Sequence, residues 1–170
     1  ERMTHGGQEN YRDQFHSVRY VANLAPEHEV TVLCGGDRIY DQQCQPGLRA
    51  IGMAKAQLWK RKALLKQLES LDADRVICRL PNLHALRWAI GRGIPTLPVL
   101  ADILVARDWL SKIKHWRLKC AFMHRRVPCV ANHSLSASQA LLKLGVPAKR
   151  IVQWELVMID AHPESKAHPG

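Results

Sequence analysis

The sequence predicts an α/β domain in which a parallel β-sheet is flanked by helices, and two features indicate this class. Short apolar runs alternate with stretches whose apolar residues recur at helical spacing, the patterns of buried strands and of helices. The stretch from Val127 to Val152 also has the pattern of strand, polar turn, helix and strand, with Gly145 ending the helix. Because strands joined by a crossover helix run in the same direction, this βαβ unit requires a parallel sheet.

Length and composition favour one folded domain. The chain has 170 residues, of which 46% are apolar, enough for a sizeable core. It contains no apolar run near the roughly 20 residues that a membrane-spanning helix needs. Its cysteines are odd in number and lack CxxC spacing, so the sequence indicates neither a disulfide framework nor a metal site, and a reducing cytosol suits this usage.

The first half of the chain predicts two strands and two helices. A helix is expected from Tyr11 to Ala25, followed by a strand from Val30 to Cys34. The polar segment from Asp37 to Gly47 is expected to form a loop without core residues. Leu48 to Ile51 is expected to form an edge strand, and Ala54 to Leu71 one long helix.

The second half continues the alternation. A strand is expected over 74–79, then a helix from Leu83 that ends at Gly91 and Gly93. The strand over 94–100 contains two prolines, which predicts that it is short or near an edge. One long helix is expected from Ile103 to Met123, in which Trp109 and Trp116 are interpreted as packing residues.

The formal net charge of +10, from 25 Lys and Arg against 15 Asp and Glu, favours polyanionic partners. Nucleic acid, anionic lipid and phosphorylated substrates all fit this charge. Many of the cations lie in the two predicted long helices. A solvated outer helix face is the interpretation that we favour, and a membrane-surface helix beside Trp59 is the alternative.

Four short motifs occur in order along the chain. Gly6 to Tyr11 fits G-G-x-E-x-Y, and Leu24 to Leu33 fits L-A-x-x-H-E-V-T-V-L. Leu141 to Pro147 fits L-x-x-x-G-V-P, and Arg150-Ile151 begins R-I-x-V, with Gln153 in place of the valine. In this order and spacing they resemble the N-terminal, acceptor-side domain of family 4 glycosyltransferases, which are retaining enzymes built from two Rossmann-like domains.

The chain departs from the family pattern at two places. Ala101-Asp102 stands where the family commonly has His-Asp, and Val157-Met158 stands where Asn-Gly precedes Ile159-Asp160.

The resemblance implies a Rossmann-like domain over 1–160, incomplete at its start because the family has a strand before the glycines, and a tail or interdomain linker over 161–170. It implies transfer of a sugar from a nucleotide-sugar, a co-substrate rather than a cofactor, to a polysaccharide or lipid-linked acceptor. The donor would bind mainly to a second domain, so the isolated chain is expected to be inactive. The expected location is cytoplasmic, peripheral at the inner membrane face, with no nucleic acid as partner.

Candidate site residues follow strand ends, because ligands of open parallel sheets bind at the carboxyl ends of the strands. Gly6 and Gly7 precede a helix and would let backbone amides approach a phosphate. Asp102 and His133 are the catalytic candidates. Helix capping explains Asp102 equally well, and a single turn histidine is more often a positioning residue. The substrate-binding candidates are Arg79, Asn82, Asn132 and Ser134.

Two other classes of function are alternatives to sugar transfer. A basic Rossmann-like module that binds nucleic acid or another anion fits the charge, although the cations lie on helices rather than beside stacking aromatics. A fragment of a sugar-nucleotide epimerase or dehydrogenase is disfavoured, because no GxGxxG follows a predicted strand.

Overall fold

The computed structural model describes residues 19–79, 82–100 and 108–154, and it confirms the α/β class with a parallel sheet flanked by helices. Residues 19–24 are helical. The remaining elements alternate along the chain as β1 (Val30–Gly36), β2 (Tyr40–Gln45), β3 (Leu48–Ala54), α1 (Lys55–Leu58), α2 (Arg61–Glu69), β4 (Val76–Arg79), α3 (Leu83–Gly91), β5 (Thr96–Leu100), α4 (Trp109–Phe122), β6 (Val130–Asn132), α5 (Leu135–Leu144), a 3-10 turn (Ala148–Arg150) and β7 (Ile151–Gln153).

The described strands form two sheets. One has four parallel strands in the order β4-β5-β6-β7, which is the arrangement of a Rossmann-like fold. The other has the order β1-β3-β2, in which β1 runs parallel and β2 antiparallel to β3. Strands β1 and β4 are therefore both edge strands within the described part of the chain.

The predicted βαβ unit is confirmed by β6, α5 and β7. Ser134 caps the start of α5 by accepting a hydrogen bond from the Ala137 amide at 3.1 Å. Gly145 ends the helix with a φ of 90°, a left-handed conformation that glycine adopts at little cost. The return strand pairs in parallel with β6, with Ile151 opposite Val130.

Two expectations about the first sheet are wrong. The segment from Asp37 to Gly47 is not only a loop, because it contains β2, whose polar residues pair along one side of β3. That pairing makes β3 a central strand rather than an edge strand. The Tyr40 ring lies over Gly52 of β3, where a Cβ would collide with it, so this glycine creates the space that β2 needs.

The predicted helix from Ala54 to Leu71 is divided into α1 and α2. The break lies at Lys60, whose backbone is extended, with φ −83° and ψ 114°. The carbonyl oxygen of Leu58 accepts a hydrogen bond from the Asn82 side-chain amide at 3.2 Å, so a distant polar group takes the last carbonyl of α1. A contact of this kind cannot be seen in local periodicity.

The helix predicted from Ile103 begins later. Asp108 has an extended backbone and caps α4 by accepting a hydrogen bond from the Ser111 amide at 2.7 Å. Of the two alternatives predicted for the strand over 94–100, the short strand is the one found, since β5 has five residues and lies between β4 and β6 rather than near an edge. Pro98 is tolerated there because β6 first pairs with β5 one residue later, at Val99.

Two apolar clusters hold the helices against the strands. The larger one joins β4, β5 and β6 to the inner faces of α3, α4 and α5, and Phe122, Leu86 and Leu141 within it are fully buried. The smaller one lies between α2 and α3. Leu33 of β1 and Val76 of β4 both pack against this smaller cluster, which links the two sheets.

None of the described helices has the length and apolar content that crossing a membrane requires.

Candidate functional site

The carboxyl ends of β4 and β6 carry most of the predicted site residues that the structure describes. Arg79 is the last residue of β4 and Asn82 starts α3, whereas Asn132 is the last residue of β6 and is followed by His133 and Ser134. Because the strands are parallel and only β5 separates them, the two ends share one edge of the sheet, about 10 Å apart. Gly6, Gly7 and Asp102 lie outside the described residues, as do the domain boundary at 160 and the tail over 161–170.

Asn132 organises the end of β6. Its side chain has no exposed surface, and its oxygen accepts hydrogen bonds from the Ser134 amide and the Ser138 hydroxyl, each at 3.1 Å. Its amide nitrogen donates to the Val152 carbonyl at 3.4 Å. The side chain therefore ties β6, the start of α5 and β7 together, and its role as a substrate ligand stays a prediction.

His133 is held in one orientation by a backbone contact. Its Nδ1 lies 2.9 Å from the Trp154 carbonyl oxygen. Because a carbonyl oxygen can only accept, Nδ1 carries the hydrogen, and in the neutral ring Nε2 is left with its lone pair. This Nε2 is buried and has no hydrogen-bond partner among the described residues. A buried acceptor without a partner costs free energy, so this atom marks a place where a ligand hydroxyl or amide would be stabilised.

Asn82 and Ser134 both serve as helix caps. The Asn82 oxygen accepts from the His84 amide at 2.9 Å and more weakly from the Ala85 amide at 3.4 Å, while its nitrogen reaches Leu58 as described above. Ser134 caps α5. Arg79 is exposed at the end of β4 and takes part in interactions of its own. Substrate contacts by these three residues stay predictions.

Helix α4 has an apolar surface that is exposed to solvent, contrary to the prediction for its tryptophans. Trp109 and Trp116 were interpreted as packing residues, but they are 67% and 63% exposed. The inner face of α4 is formed instead by Leu118 and Phe122, which are 2% and 0% exposed. The helix thus carries apolar residues on opposite faces, so periodicity alone could not tell which face is buried.

Cations from three helices surround His84 near the start of α3. The pKa of His84 is lowered, first by its partial burial and then by the positive charges of Arg61, Arg117 and Arg87. Arg61 begins α2, Arg117 lies in the middle of α4, and Arg87 lies on α3 itself. These cations come from separate sequence segments and lie close enough to His84 to lower its pKa, a proximity that no local pattern reveals.

Comparisons with known proteins find no related family, protein or structure. A scan against protein-family models finds no match, and searches of curated proteins and of solved structures find none either. The structure therefore defines a class, an α/β domain with a parallel sheet, and the resemblance to family 4 glycosyltransferases stays a prediction.

Proposed function

We propose that this chain is the acceptor-side domain of a retaining glycosyltransferase that moves a sugar from a nucleotide-sugar to a polysaccharide or lipid-linked acceptor. The observation that carries the proposal is His133, whose buried Nε2 has no partner in the described part of the chain and whose ring is fixed by the Trp154 carbonyl. It lies at the carboxyl end of β6, where open parallel sheets bind their ligands.

The chemistry of sugar transfer gives this nitrogen a role. The bond between the anomeric carbon and the leaving phosphate oxygen breaks, the acceptor oxygen forms the new bond to that carbon, and the proton of the acceptor hydroxyl passes to Nε2 of His133. The acceptor hydroxyl must be oriented so that a lone pair faces the anomeric carbon. An acceptor hydroxyl that donates its hydrogen to Nε2 of His133 would be held in this way, and Asp102 is the second proposed catalytic residue.

The donor would bind mainly to a second domain. Gly6 and Gly7 are the proposed phosphate contacts from this domain, and Arg79, Asn82, Asn132 and Ser134 the proposed substrate contacts or their supports. Since stabilisation of the leaving diphosphate contributes much of the rate enhancement, the 170-residue chain alone is proposed to bind an acceptor without turning it over.

Acceptor binding tests the proposal directly. Saturation-transfer NMR would be recorded on the purified chain with a panel of oligosaccharides and detergent-dispersed lipid-linked glycans. We expect saturation to pass from the protein to at least one glycan, which would show that this glycan binds. We also expect a tenfold or greater weakening in His133→Asn, whose amide can still donate to the Trp154 carbonyl but lacks an atom at the Nε2 position.

The matched control is His28→Ala, because His28 is exposed and precedes β1, far along the chain from the strand ends. It should bind the same glycan as the unchanged protein. Equal binding by His133→Asn would contradict the proposal. So would a chain that binds none of the glycans and instead binds single-stranded nucleic acid in a salt-dependent manner, as the alternative module would.

A further inference from the structure

The outer face of α4 is an apolar stripe open to solvent. Trp109, Ile113, Trp116 and Met123 recur at spacings of four, three and seven residues, which places them on one side of a helix. Their exposed fractions are 67%, 44%, 63% and 39%, and Leu110 beside them is 59% exposed. Two exposed tryptophans and an isoleucine in a single stripe form a patch of the kind that marks an interaction site.

Cations border this stripe on both sides. On a helical projection Lys112 and Lys119 lie along one border and Arg117 along the other. The sequence of α4 contains no aspartate or glutamate, and its acidic neighbour is Asp108 at the N-cap. The face is thus apolar along its centre and positive along its edges.

The positive surface continues onto the neighbouring helices. Helix α3 packs between α2 and α4, and the cations around His84 come from all three. Trp59, which is 54% exposed, precedes the basic run Lys60-Arg61-Lys62 at the start of α2. A third exposed tryptophan therefore stands beside cations on an element joined to α4 through α3.

We propose that the outer face of α4, extended by the basic start of α2 and by Arg87 of α3, docks flat on an anionic lipid bilayer. Tryptophan prefers the boundary between headgroups and acyl chains, where its ring is buried and its N–H stays hydrated. Lysine and arginine beside it attract acidic headgroups, and their aliphatic stems lie along the apolar zone. This combination defines an interfacial helix that lies in the membrane plane.

The charge and the apolar residues of this face favour a lipid bilayer over two other binding partners, a second copy of the chain and a nucleic acid. A second copy of the same face would bring two positive borders together and repel. A nucleic acid would be expected to use the arginines without requiring an isoleucine and a methionine between two tryptophans. The docking surface does not depend on sugar transfer, although an acceptor carried by a lipid would be delivered to it.

Vesicle sedimentation of the full 170-residue chain tests the proposal. The probes are vesicles of phosphatidylcholine alone and of phosphatidylcholine with phosphatidylglycerol. We expect partitioning at least tenfold stronger onto the acidic vesicles, and weaker partitioning at high salt because surface charges are screened. The double variant Trp109→Ala/Trp116→Ala should lose at least tenfold, and Lys112→Gln/Arg117→Gln about fivefold for each charge removed.

Matched control variants distinguish binding through the outer face of α4 from nonspecific binding to vesicles. Ile39→Ala removes a side chain that is 73% exposed in the turn between β1 and β2, and Lys149→Gln removes an exposed charge from the 3-10 turn, so both should bind like the unchanged protein. Because all the replaced side chains are exposed, circular dichroism should show the same fold throughout. Lipids brominated along the acyl chain should quench tryptophan fluorescence, and the double tryptophan variant should lose most of that quenching.

Three outcomes would overturn the proposal. The first is equal binding to neutral and acidic vesicles, or no binding to either. The second is full binding by the double tryptophan variant. The third is a dimer in sedimentation equilibrium that the same double variant dissociates, since a second copy would then cover the face. If the chain binds a glycan through His133 but does not bind vesicles, the proposed function is supported and only the membrane-docking proposal is contradicted.

Discussion

At the scale of single residues, the end of β6 combines a buried side chain that is hydrogen-bonded through both its oxygen and its nitrogen with a neighbour that has one buried nitrogen without a described partner. Asn132 is fully buried, and its side chain accepts two hydrogen bonds and donates one, which ties the turn that contains His133 to α5 and β7. His133 in turn has one nitrogen engaged and one buried without a partner in the described residues. The hydrogen bonds of Asn132 connect the turn to α5 and β7, and a turn connected in this way can hold the ring of His133 in one orientation for the proposed ligand.

Replacement of Asn132 by alanine should destabilise the fold strongly. The change leaves the Ser134 amide and the Ser138 hydroxyl without their acceptor and the Val152 carbonyl without its donor. Loss of buried partners of this kind costs about 2 to 3 kcal/mol, which urea unfolding would measure. Gln42→Ala, at an exposed position of β2, is the control and should change stability by less than about 0.5 kcal/mol. A loss below about 1 kcal/mol for Asn132→Ala would contradict the hydrogen-bond network.

The sequence predicts which residues lie at these strand ends but not which groups they bond to. The position of Asn132, His133 and Ser134 after an apolar run sufficed to place them at a strand end. The Trp154 carbonyl that orients His133 lies 21 residues further along the chain, so the tautomer could only come from the structure.

At the scale of elements, helix and strand ends were predicted best where a single residue type decides them. Gly91 and Gly145 end the α3 and α5 helices as expected. The prediction failed where a distant group decides, as at Leu58, whose carbonyl bonds to Asn82 across 24 residues. It also failed for α4, where two apolar stripes compete and only tertiary packing chooses Leu118 and Phe122 for the core.

Two glycine replacements should have opposite effects on stability. Gly145 has a φ of 90°, so Gly145→Ala forces an L residue into the left-handed region at a cost of about 1 to 2 kcal/mol. A Cβ on Gly91 would meet nothing within 4 Å, and Gly91→Ala should be neutral or stabilise by up to about 1 kcal/mol. Thermal unfolding of both variants measures the difference. Equal melting temperatures would show that the Gly145 backbone is not held as described.

At the scale of the whole molecule, the described strands lie in two sheets. Their edge strands β1 and β4 are not hydrogen-bonded to each other, and both pack against the smaller apolar cluster between α2 and α3. The sequence predicted the parallel sheet through its βαβ pattern. It could not predict the order of the strands, because pairing between distant segments leaves no local signal. The basic surface on α2, α3 and α4 likewise needed the fold to bring its cations together.

The central claim is that the Nε2 of His133, which is buried and has no hydrogen-bond partner among the described residues, accepts a hydrogen bond from an acceptor hydroxyl when a glycan binds. Long-range proton–nitrogen correlation NMR of ¹⁵N-labelled protein at alkaline pH observes both imidazole nitrogens. We predict the Nδ1–H tautomer in the free protein and, on saturation with a bound glycan, a shift of the Nε2 resonance in the direction of hydrogen-bond acceptance. An Nε2–H tautomer, or an Nε2 resonance that stays in place when a glycan binds, would contradict the account.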